Sequence, residues 1–132
     1  MKKALILLVF LTYIMGFSQT TSVKEVYPLF KNCENNPKVD ASQCFLDELN
    51  NHIDKHLLYP IYAVENNISG KVVVTFTITT DGFVENILAT GTHELLEKEV
   101  LRVIKLLPQL KPAFENGKPI TKTVTHPVIF RL

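Results

Sequence analysis

The chain has 132 residues, of which 46% are hydrophobic and 20% charged, and 14 basic against 13 acidic residues give a formal charge of +1. This length suits one modest domain and does not fit a two-domain enzyme, while the composition is too apolar for a disordered chain. A nucleic-acid-binding fold normally carries a basic surplus, so the near-neutral charge argues against a nucleic acid partner.

The first 18 residues have the layout of a bacterial secretory signal. A basic start, Met1–Lys3, precedes an apolar run, Ala4–Met15, and small residues precede a cut expected before Gln19. An uncleaved membrane anchor is the alternative, although a membrane span needs roughly 20 apolar residues and this run is shorter. We therefore expect residues 1–18 to be a signal peptide and the mature protein to lie outside the cytoplasm.

Two cysteines, Cys33 and Cys44, follow in the leader, which we place at residues 19–57. Export brings the chain into an oxidising compartment, which favours a disulfide between them. The alternative is a zinc site that adds His52 and His56, which lie four residues apart on one helical face. Structural zinc sites usually take cysteines two to four residues apart, so the spacing favours the disulfide and we expect no metal.

Residues 19–32 show little periodicity and are expected to form a mobile lead-in. Asp40 and Gln43 form a candidate capping box for a first helix. The apolar stripe of that helix consists of Phe45, Leu49, Ile53 and Leu57. The helix should end by Tyr59, because Pro60 disfavours helical geometry in the residue before it and can itself open a second, short helix.

A strand of alternating β-branched residues is the clearest signal in the sequence. Its apolar face consists of Val72, Val74, Phe76 and Ile78, and its other face of Val73, Thr75, Thr77 and Thr79. Asp81-Gly82 predicts a hairpin turn into a return strand, Phe83–Ala89. The alternation in the return strand slips between Val84 and Ile87, which predicts a bulge.

A second amphipathic helix follows, with Thr92 as the expected N-cap. Its apolar stripe consists of Leu96, Val100, Val103, Ile104 and Leu107. Pro108 and Pro112 prevent its continuation. Asn116-Gly117 then predicts a turn into a last strand, Pro119–Phe130.

These elements predict an α+β fold with a three-stranded antiparallel sheet of order 2-1-3, one helix packed on it and an N-terminal helical segment. The last strand is then an edge. Pro127 supports this placement, because proline cannot donate to a ladder and is confined to edges and bulges.

The residues give no positive sign of catalysis. None of the four histidines lies in a catalytic motif; His126 is expected to be a half-exposed strand residue and His93 a solvent-exposed residue of a first helical turn. We therefore expect no enzyme and no cofactor. The exposed edge strand either accepts an added strand from a partner or is a protected edge, kept apart by Lys118, Lys122 and Pro127.

An ordered run of short motifs resembles the TonB C-terminal domain family. The motifs are Tyr59-Pro60-x-x-Ala63, Ile68-x-Gly70-x-Val72-x-Val74-x-Phe76-x-Ile78, Asp81-Gly82-x-Val84, Leu96-x-x-Glu99, Pro108-x-x-Lys111-Pro112-x-x-x-Asn116-Gly117-Lys118-Pro119 and Pro127-Val128-x-Phe130. The resemblance covers about residues 58–131, so we place this domain at residues 58–132. The two-cysteine leader also resembles segments found ahead of some of these domains.

The resemblance implies a periplasmic domain that captures an extended segment of an outer-membrane TonB-dependent receptor as an added strand. In the family this contact serves transmembrane nutrient transport driven by an inner-membrane energising complex. By position, the last strand would present the pairing edge and Tyr59-Pro60 would lie near the receptor. The expected partner-binding residues are Tyr59, Pro60, Ile120, Thr121, Lys122, Thr123, Val124, Thr125, His126, Val128 and Phe130.

Receptor binding is the favoured part of this function. The 14 residues between the expected cut and Cys33 hold no proline-rich run and reach roughly 50 Å at most, so energy transduction is not expected. The alternative function is an envelope assembly or integrity protein that uses a TolA/TonB-like fold without import. Pairing between edge strands of two copies would give a homodimer.

Overall fold

The computed structural model of the chain describes residues 25–35 and 40–132. The predicted signal peptide and its cut before Gln19 lie outside the described residues. No helix in the described part combines the length and apolar character that a bilayer crossing requires.

The helices of the described part are α1 (Ala41–His56), α2 (Ile61–Glu65) and α3 (Glu94–Lys105). Helix α1 buries three residues of its predicted stripe, at positions 45, 49 and 53. The chain leaves α1 at Leu57, whose backbone is extended, and Pro60 is the N-cap of α2, as its sequence position predicts.

The strands form two antiparallel sheets. In chain order they are β1 (Glu25–Val26), β2 (Gly70–Ile78), β3 (Val84–Gly91), β4 (Ala113–Glu115), β5 (Lys118–Ile120) and β6 (Lys122–Phe130). The main sheet has the order β3-β2-β6, and the small sheet has the order β1-β4-β5. The main sheet confirms the predicted 2-1-3 arrangement.

The core lies between one face of the main sheet and helices α1 and α3. The strands contribute Val72, Val74, Phe76, Ile78, Val124, Val128 and Phe130, and α3 contributes Leu96, Val100, Val103 and Ile104. The buried residues of α1 belong to the same cluster. Full burial of an aliphatic or aromatic side chain contributes roughly 1.5–3 kcal/mol, so this cluster is the main source of stability.

The predicted bulge in the return strand is confirmed. Between the pairs Thr75–Leu88 and Thr77–Glu85, strand β3 carries one residue more than β2. Asn86, in this stretch, has a φ of 51°, a left-handed conformation that Asn tolerates better than most residues.

The prediction of one continuous last strand, Pro119–Phe130, is wrong. Asn116 and Gly117, with φ of 51° and 79°, form a two-residue hairpin turn, so β5 pairs back on β4 instead of joining the main sheet. The chain enters the main sheet only after Thr121.

The prediction of a mobile lead-in is also wrong for residues 25–32. Strand β1 pairs with β4, and beyond it Leu29 exchanges two backbone hydrogen bonds with Lys111, at 3.1 and 2.9 Å. A turn of 3₁₀ helix, Lys31–Cys33, follows. Residues 25–35, to which the name leader is confined from here on, therefore add a strand to the small sheet.

A disulfide fastens the leader to α1. It joins Cys33 to Cys44, with Cα atoms 6.0 Å apart, so the alternative of a zinc site built on free thiols is wrong. The rings of Tyr27 and Phe30 pack beside Phe45, with centroids 6.0 and 5.5 Å away.

The helix N-termini differ from the predictions. Asp40 is the N-cap of α1, but its side chain makes no capping hydrogen bond. The N-cap of α3 is His93 and not Thr92: Nδ1 of His93 accepts from the backbone N–H of Leu95 at 3.1 Å. The hydroxyl of Thr92 donates instead to a backbone carbonyl just before β2.

Candidate functional site

The outer edge of β6 is the candidate site. Strand β6 pairs along its whole length with β2, and no strand of the described residues pairs with its other side. Nine extended residues present roughly 30 Å of backbone there. The leader, which could have covered this edge, pairs with β4 instead.

Proline fixes which backbone groups face outward. Pro127 lies opposite Val73 in the ladder and has no N–H to donate, so this pair must be a non-hydrogen-bonded one. Backbone direction alternates along a strand. The N–H and C=O groups of Thr123, Thr125 and Ile129 therefore also point away from β2.

The side chains of β6 alternate between two environments. Val124, His126, Val128 and Phe130 are buried against the helices, while Thr123, Thr125, Pro127 and Ile129 are exposed on the opposite face of the sheet. The hydroxyls of Thr75 and Thr125 lie 3.2 Å apart on that open face. Of the predicted residues in β6, only Thr123 and Thr125 can therefore offer side chains to a partner on the open face, and Pro127 and Ile129, which share that face, were not predicted.

His126 is buried, which corrects the prediction of a half-exposed residue. Only 9% of its surface is exposed, and its Nε2–H donates to Oδ1 of Asn50 in α1 at 2.8 Å. Burial lowers the pKa of His126, which favours a neutral imidazole. The sequence did contain a signal for this burial, since His126 has the same parity as Val124 and Val128.

The first residue of β6 is fixed by the leader. Lys122 forms an ion pair with Glu25, and its ammonium group lies 5.1 Å from the ring centroid of Tyr27. The hydrogen bond to Glu25 raises the pKa of Lys122. Sequence reasoning missed Glu25 and Tyr27, because a contact across 97 positions leaves no local pattern.

The last residue of β6 contacts the segment ahead of α2. The ring of Tyr59 meets Phe130 edge-on, with centroids 5.4 Å apart and an interplanar angle of 88°. The hydroxyl of Tyr59 donates to the carbonyl of Ile68. The neighbouring Leu58 and Ile61 are 68% and 75% exposed, so an apolar surface lies close to this end of the edge.

Two residues of the predicted Ile120–Phe130 edge lie outside β6. Ile120 belongs to β5, where it pairs with Ala113, and Thr121 lies between the strands. The candidate edge therefore begins at Lys122, and the predicted Ile120–Phe130 edge is too long.

The histidines of α1 have structural contacts. Nε2–H of His52 donates to the carbonyl of Val103, and Nδ1–H of His56 donates to the carbonyl of His52, each at 2.8 Å. Burial lowers the pKa of His52. The two rings line a cleft of about 340 Å³, but residues 25–35 and 40–132 hold no group of three or more His, Cys, Asp or Glu placed to bind a metal.

Sequence comparison places this edge in a known context. The family described as the Gram-negative bacterial TonB protein C-terminal matches residues 55–132. Protein TonB of Campylobacter coli is 32% identical over 90 residues, which cover 67% of this chain and 37% of that protein. The chain thus spans little more than a third of the length of this curated relative.

Two solved structures share the architecture. The NMR structure of the Helicobacter pylori TonB C-terminal domain, residues 179–285, aligns at a TM-score of 0.56 and 27% identity, covering 74% of this chain and 87% of that one. A shorter version, residues 194–285, aligns at 0.50 and 30% identity over 66% and 92% of the two chains. Since the family match takes in more than half of the sequence and all three strands of the main sheet, the chain belongs to the family of Gram-negative bacterial TonB protein C-terminal domains.

Proposed function

We propose that this chain is a TonB-type binding module of the periplasm that captures an extended segment of an outer-membrane receptor as an added strand on β6, and so takes part in nutrient transport across the envelope. The observation that carries the proposal is the edge itself. Strand β6 is nine residues long, and the backbone groups that every second residue points outward have no strand partner among the described residues.

The other edge of the main sheet suits strand addition less well. Strand β3 is interrupted by the bulge at Asn86, which twists the strand and breaks the regular spacing of its donors and acceptors. Strand β6 has no such irregularity, and its register with β2 runs without a shift from Lys122 to Phe130. Of the two edges that the main sheet presents in the described residues, β6 is therefore the one that offers a guest strand a regular ladder.

Side chains at the two ends of β6 would add selectivity to this backbone pairing. At its start, the Lys122–Glu25 pair offers charge, and at its end Leu58 and Ile61 offer exposed apolar surface beside Tyr59. A partner segment that ends in aliphatic residues near Tyr59 would bury this surface. Tyr59 and Pro60 then position the exposed Leu58 and Ile61. The ring of Phe130 packs against Tyr59 and holds it in place.

Partner binding is tested by NMR. The protein, purified from the periplasm, is titrated with peptides that copy the plug-terminal segments of TonB-dependent receptors. We expect the largest amide shifts at positions 123, 125 and 129, because these N–H groups face the guest. A titration with every such peptide that leaves β6 unperturbed would overturn the proposal.

A matched pair of variants isolates the backbone contribution. Thr125→Pro removes an outward N–H and should weaken peptide binding at least tenfold, since a guest carbonyl loses its donor. Thr125→Val keeps the N–H and removes only the hydroxyl, so it should bind like the wild type. Equal binding by the two variants would contradict strand addition at this edge.

Export is part of the same proposal. We infer that residues 1–18 direct the chain to the periplasm and are removed there, which fits the disulfide in the leader. N-terminal sequencing of the protein recovered from the cell envelope should start at Gln19. A start at Met1 would instead mean a tethered protein.

A further inference from the structure

The leader makes a strand addition within its own chain. Strand β1 pairs with β4 at the positions of Glu25 and Val26, and Leu29 bonds with Lys111 in both directions. The remaining contacts of the leader also go to the rest of the molecule: Glu25 to Lys122, and the rings at positions 27 and 30 to Phe45. The edge of β4 is therefore a second strand-accepting edge, occupied by residues of the same chain.

The non-covalent attachment of this leader combines a short strand pairing with a few buried side chains. Strand β1 has two residues, and so short a pairing is marginal in water. The ion pair with Lys122 is partly exposed, and exposed ion pairs contribute little. Pro28 and Phe30 are its buried anchors, with less than 2% and 7% of their surfaces exposed, and Tyr27 and Leu29 pack against the core beside them. The disulfide to Cys44 is what makes the attachment permanent.

We propose that the edge of β4 accepts the leader of a second copy of this chain once the Cys33–Cys44 disulfide is reduced, giving a dimer with exchanged leaders. The occupant is a second copy because its leader supplies the same strand, the same rings and the same Glu25. Every contact between leader and body is repeated in trans, so the exchange costs little once the covalent link is open.

The chemical step is thiol–disulfide exchange with a dithiol. One thiolate of the dithiol attacks the sulfur of Cys44, which is less buried than Cys33, and Cys33 leaves as a thiol after taking up a proton. The second thiol then closes the dithiol's own disulfide and releases Cys44. Two electrons and two protons pass to the protein. Eight peptide units join Cys33 to Ala41, and an extended chain of that length reaches roughly 28 Å.

Mixed-isotope copies test the exchange directly. Protein purified from the periplasm in light and ¹⁵N-labelled forms is mixed, reduced with dithiothreitol under native conditions, freed of the reductant and reoxidised with oxidised glutathione. Oxidised glutathione takes the two electrons and protons and becomes two thiols. Peptide mapping should then find Cys33–Cys44 linked peptides with one light and one heavy half, which should be absent when reduction is omitted.

A variant in one population separates exchange from chance encounters. Leu29→Pro removes the N–H that donates to Lys111 and should stop that copy's leader from docking. With the variant in the heavy copy, light Cys33 should still link to heavy Cys44, whereas heavy Cys33 linked to light Cys44 should fall severalfold. Absence of mixed peptides, or equal amounts of the two kinds, would overturn the proposal. Neither of these results depends on whether β6 binds a receptor, so this experiment does not test the proposed function.

Discussion

At the scale of single residues, two glycines share a left-handed backbone but have different surroundings. Gly82, with a φ of +84°, turns the chain between β2 and β3, and its carbonyl accepts from the N–H of Leu110. A Cβ on Gly82 would lie 1.7 Å from the carbonyl oxygen of Leu110. Gly117, with a φ of +79°, has open space where its Cβ would be. Alanine substitutions at these two positions therefore distinguish the cost of backbone strain from the cost of a steric clash.

We expect Gly117→Ala to lower the free energy of unfolding by about 1–2 kcal/mol, the cost of a left-handed L-residue. Gly82→Ala should cost at least about 2 kcal/mol more, because the segment holding Leu110 must also move off the hairpin. Urea unfolding of the two variants measures the difference. Equal losses would mean that the contact between the turn and Leu110 is not part of the folded state in solution.

His126 makes stability depend on pH. Burial lowers its pKa in the folded state, so near pH 6 the unfolded chain binds a proton more readily than the folded one. The contribution of His126 is therefore complete above about pH 6.5 and is lost as the pH falls through the lower folded pKa. His52, whose pKa burial also lowers, acts in the same direction.

Urea unfolding between about pH 7 and pH 5 checks this expectation. His126→Gln should lose less stability than the wild type over this interval. Asn50→Asp puts a carboxylate against the imidazole at the same place and should raise the pKa of His126, so its loss on acidification should be smaller too. If both variants follow the wild-type slope, the buried hydrogen bond does not control this titration.

At the scale of elements, local periodicity decided what the sequence could predict. The helix stripes and the alternation of β2 are properties of consecutive residues, and they gave the main sheet and the helices that cover it. The Asn116-Gly117 dipeptide also predicted its turn. The dipeptide does not predict which strand pairs across the turn, because residues 113–115 are too few to show a strand pattern. The sequence pattern therefore merges β5 with β6.

The candidate site was predictable in part for the same reason. Alternation and Pro127 are sufficient to place the last strand at an edge and to give its exposed face. The contacts of Lys122 with Glu25 and Tyr27, and of His126 with Asn50, depend on where the leader and α1 dock. Such docking depends on the shape of the whole core, so no local sequence pattern predicts these contacts.

The leader is the element whose stability rests most on a covalent bond. The disulfide spans 11 positions, and closing so short a loop should stabilise the fold by roughly 3 kcal/mol through the unfolded chain. The double variant Cys33→Ser, Cys44→Ser should lose about this amount in urea unfolding. In this double variant, the backbone amide of Lys111, which donates to Leu29, should also exchange its hydrogen with solvent faster than the amides in the centre of β2 do.

The reduced wild-type protein provides the control for the double variant. Because both lack only the covalent link, their unfolding curves should coincide. A double variant with wild-type stability and unchanged exchange at Lys111 would show that the leader stays docked through its own contacts.

At the scale of the whole molecule, α1 and the domain predicted at residues 58–132 share one core. The buried residues of α1 lie in the same hydrophobic cluster as those of β2, β6 and α3. Hydrogen bonds also join α1 to the chain after residue 58: Arg102 donates to the carbonyl of His56, and Nε2–H of His52 donates to the carbonyl of Val103, each at 2.8 Å. Separate unfolding of α1 and of the domain that begins at residue 58 is therefore not expected.

A fragment of residues 58–132 tests this unity. It leaves the partners of three large side chains, at positions 45, 49 and 53, exposed to water, and each such burial contributes roughly 1.5–3 kcal/mol. The sum approaches the total stability of a typical domain, about 5–15 kcal/mol, so the fragment should be largely unfolded or aggregated. Urea unfolding followed by circular dichroism should show one cooperative transition for the whole protein. A fragment that unfolds at the urea midpoint of the whole protein would mean that the hydrophobic core is complete without α1.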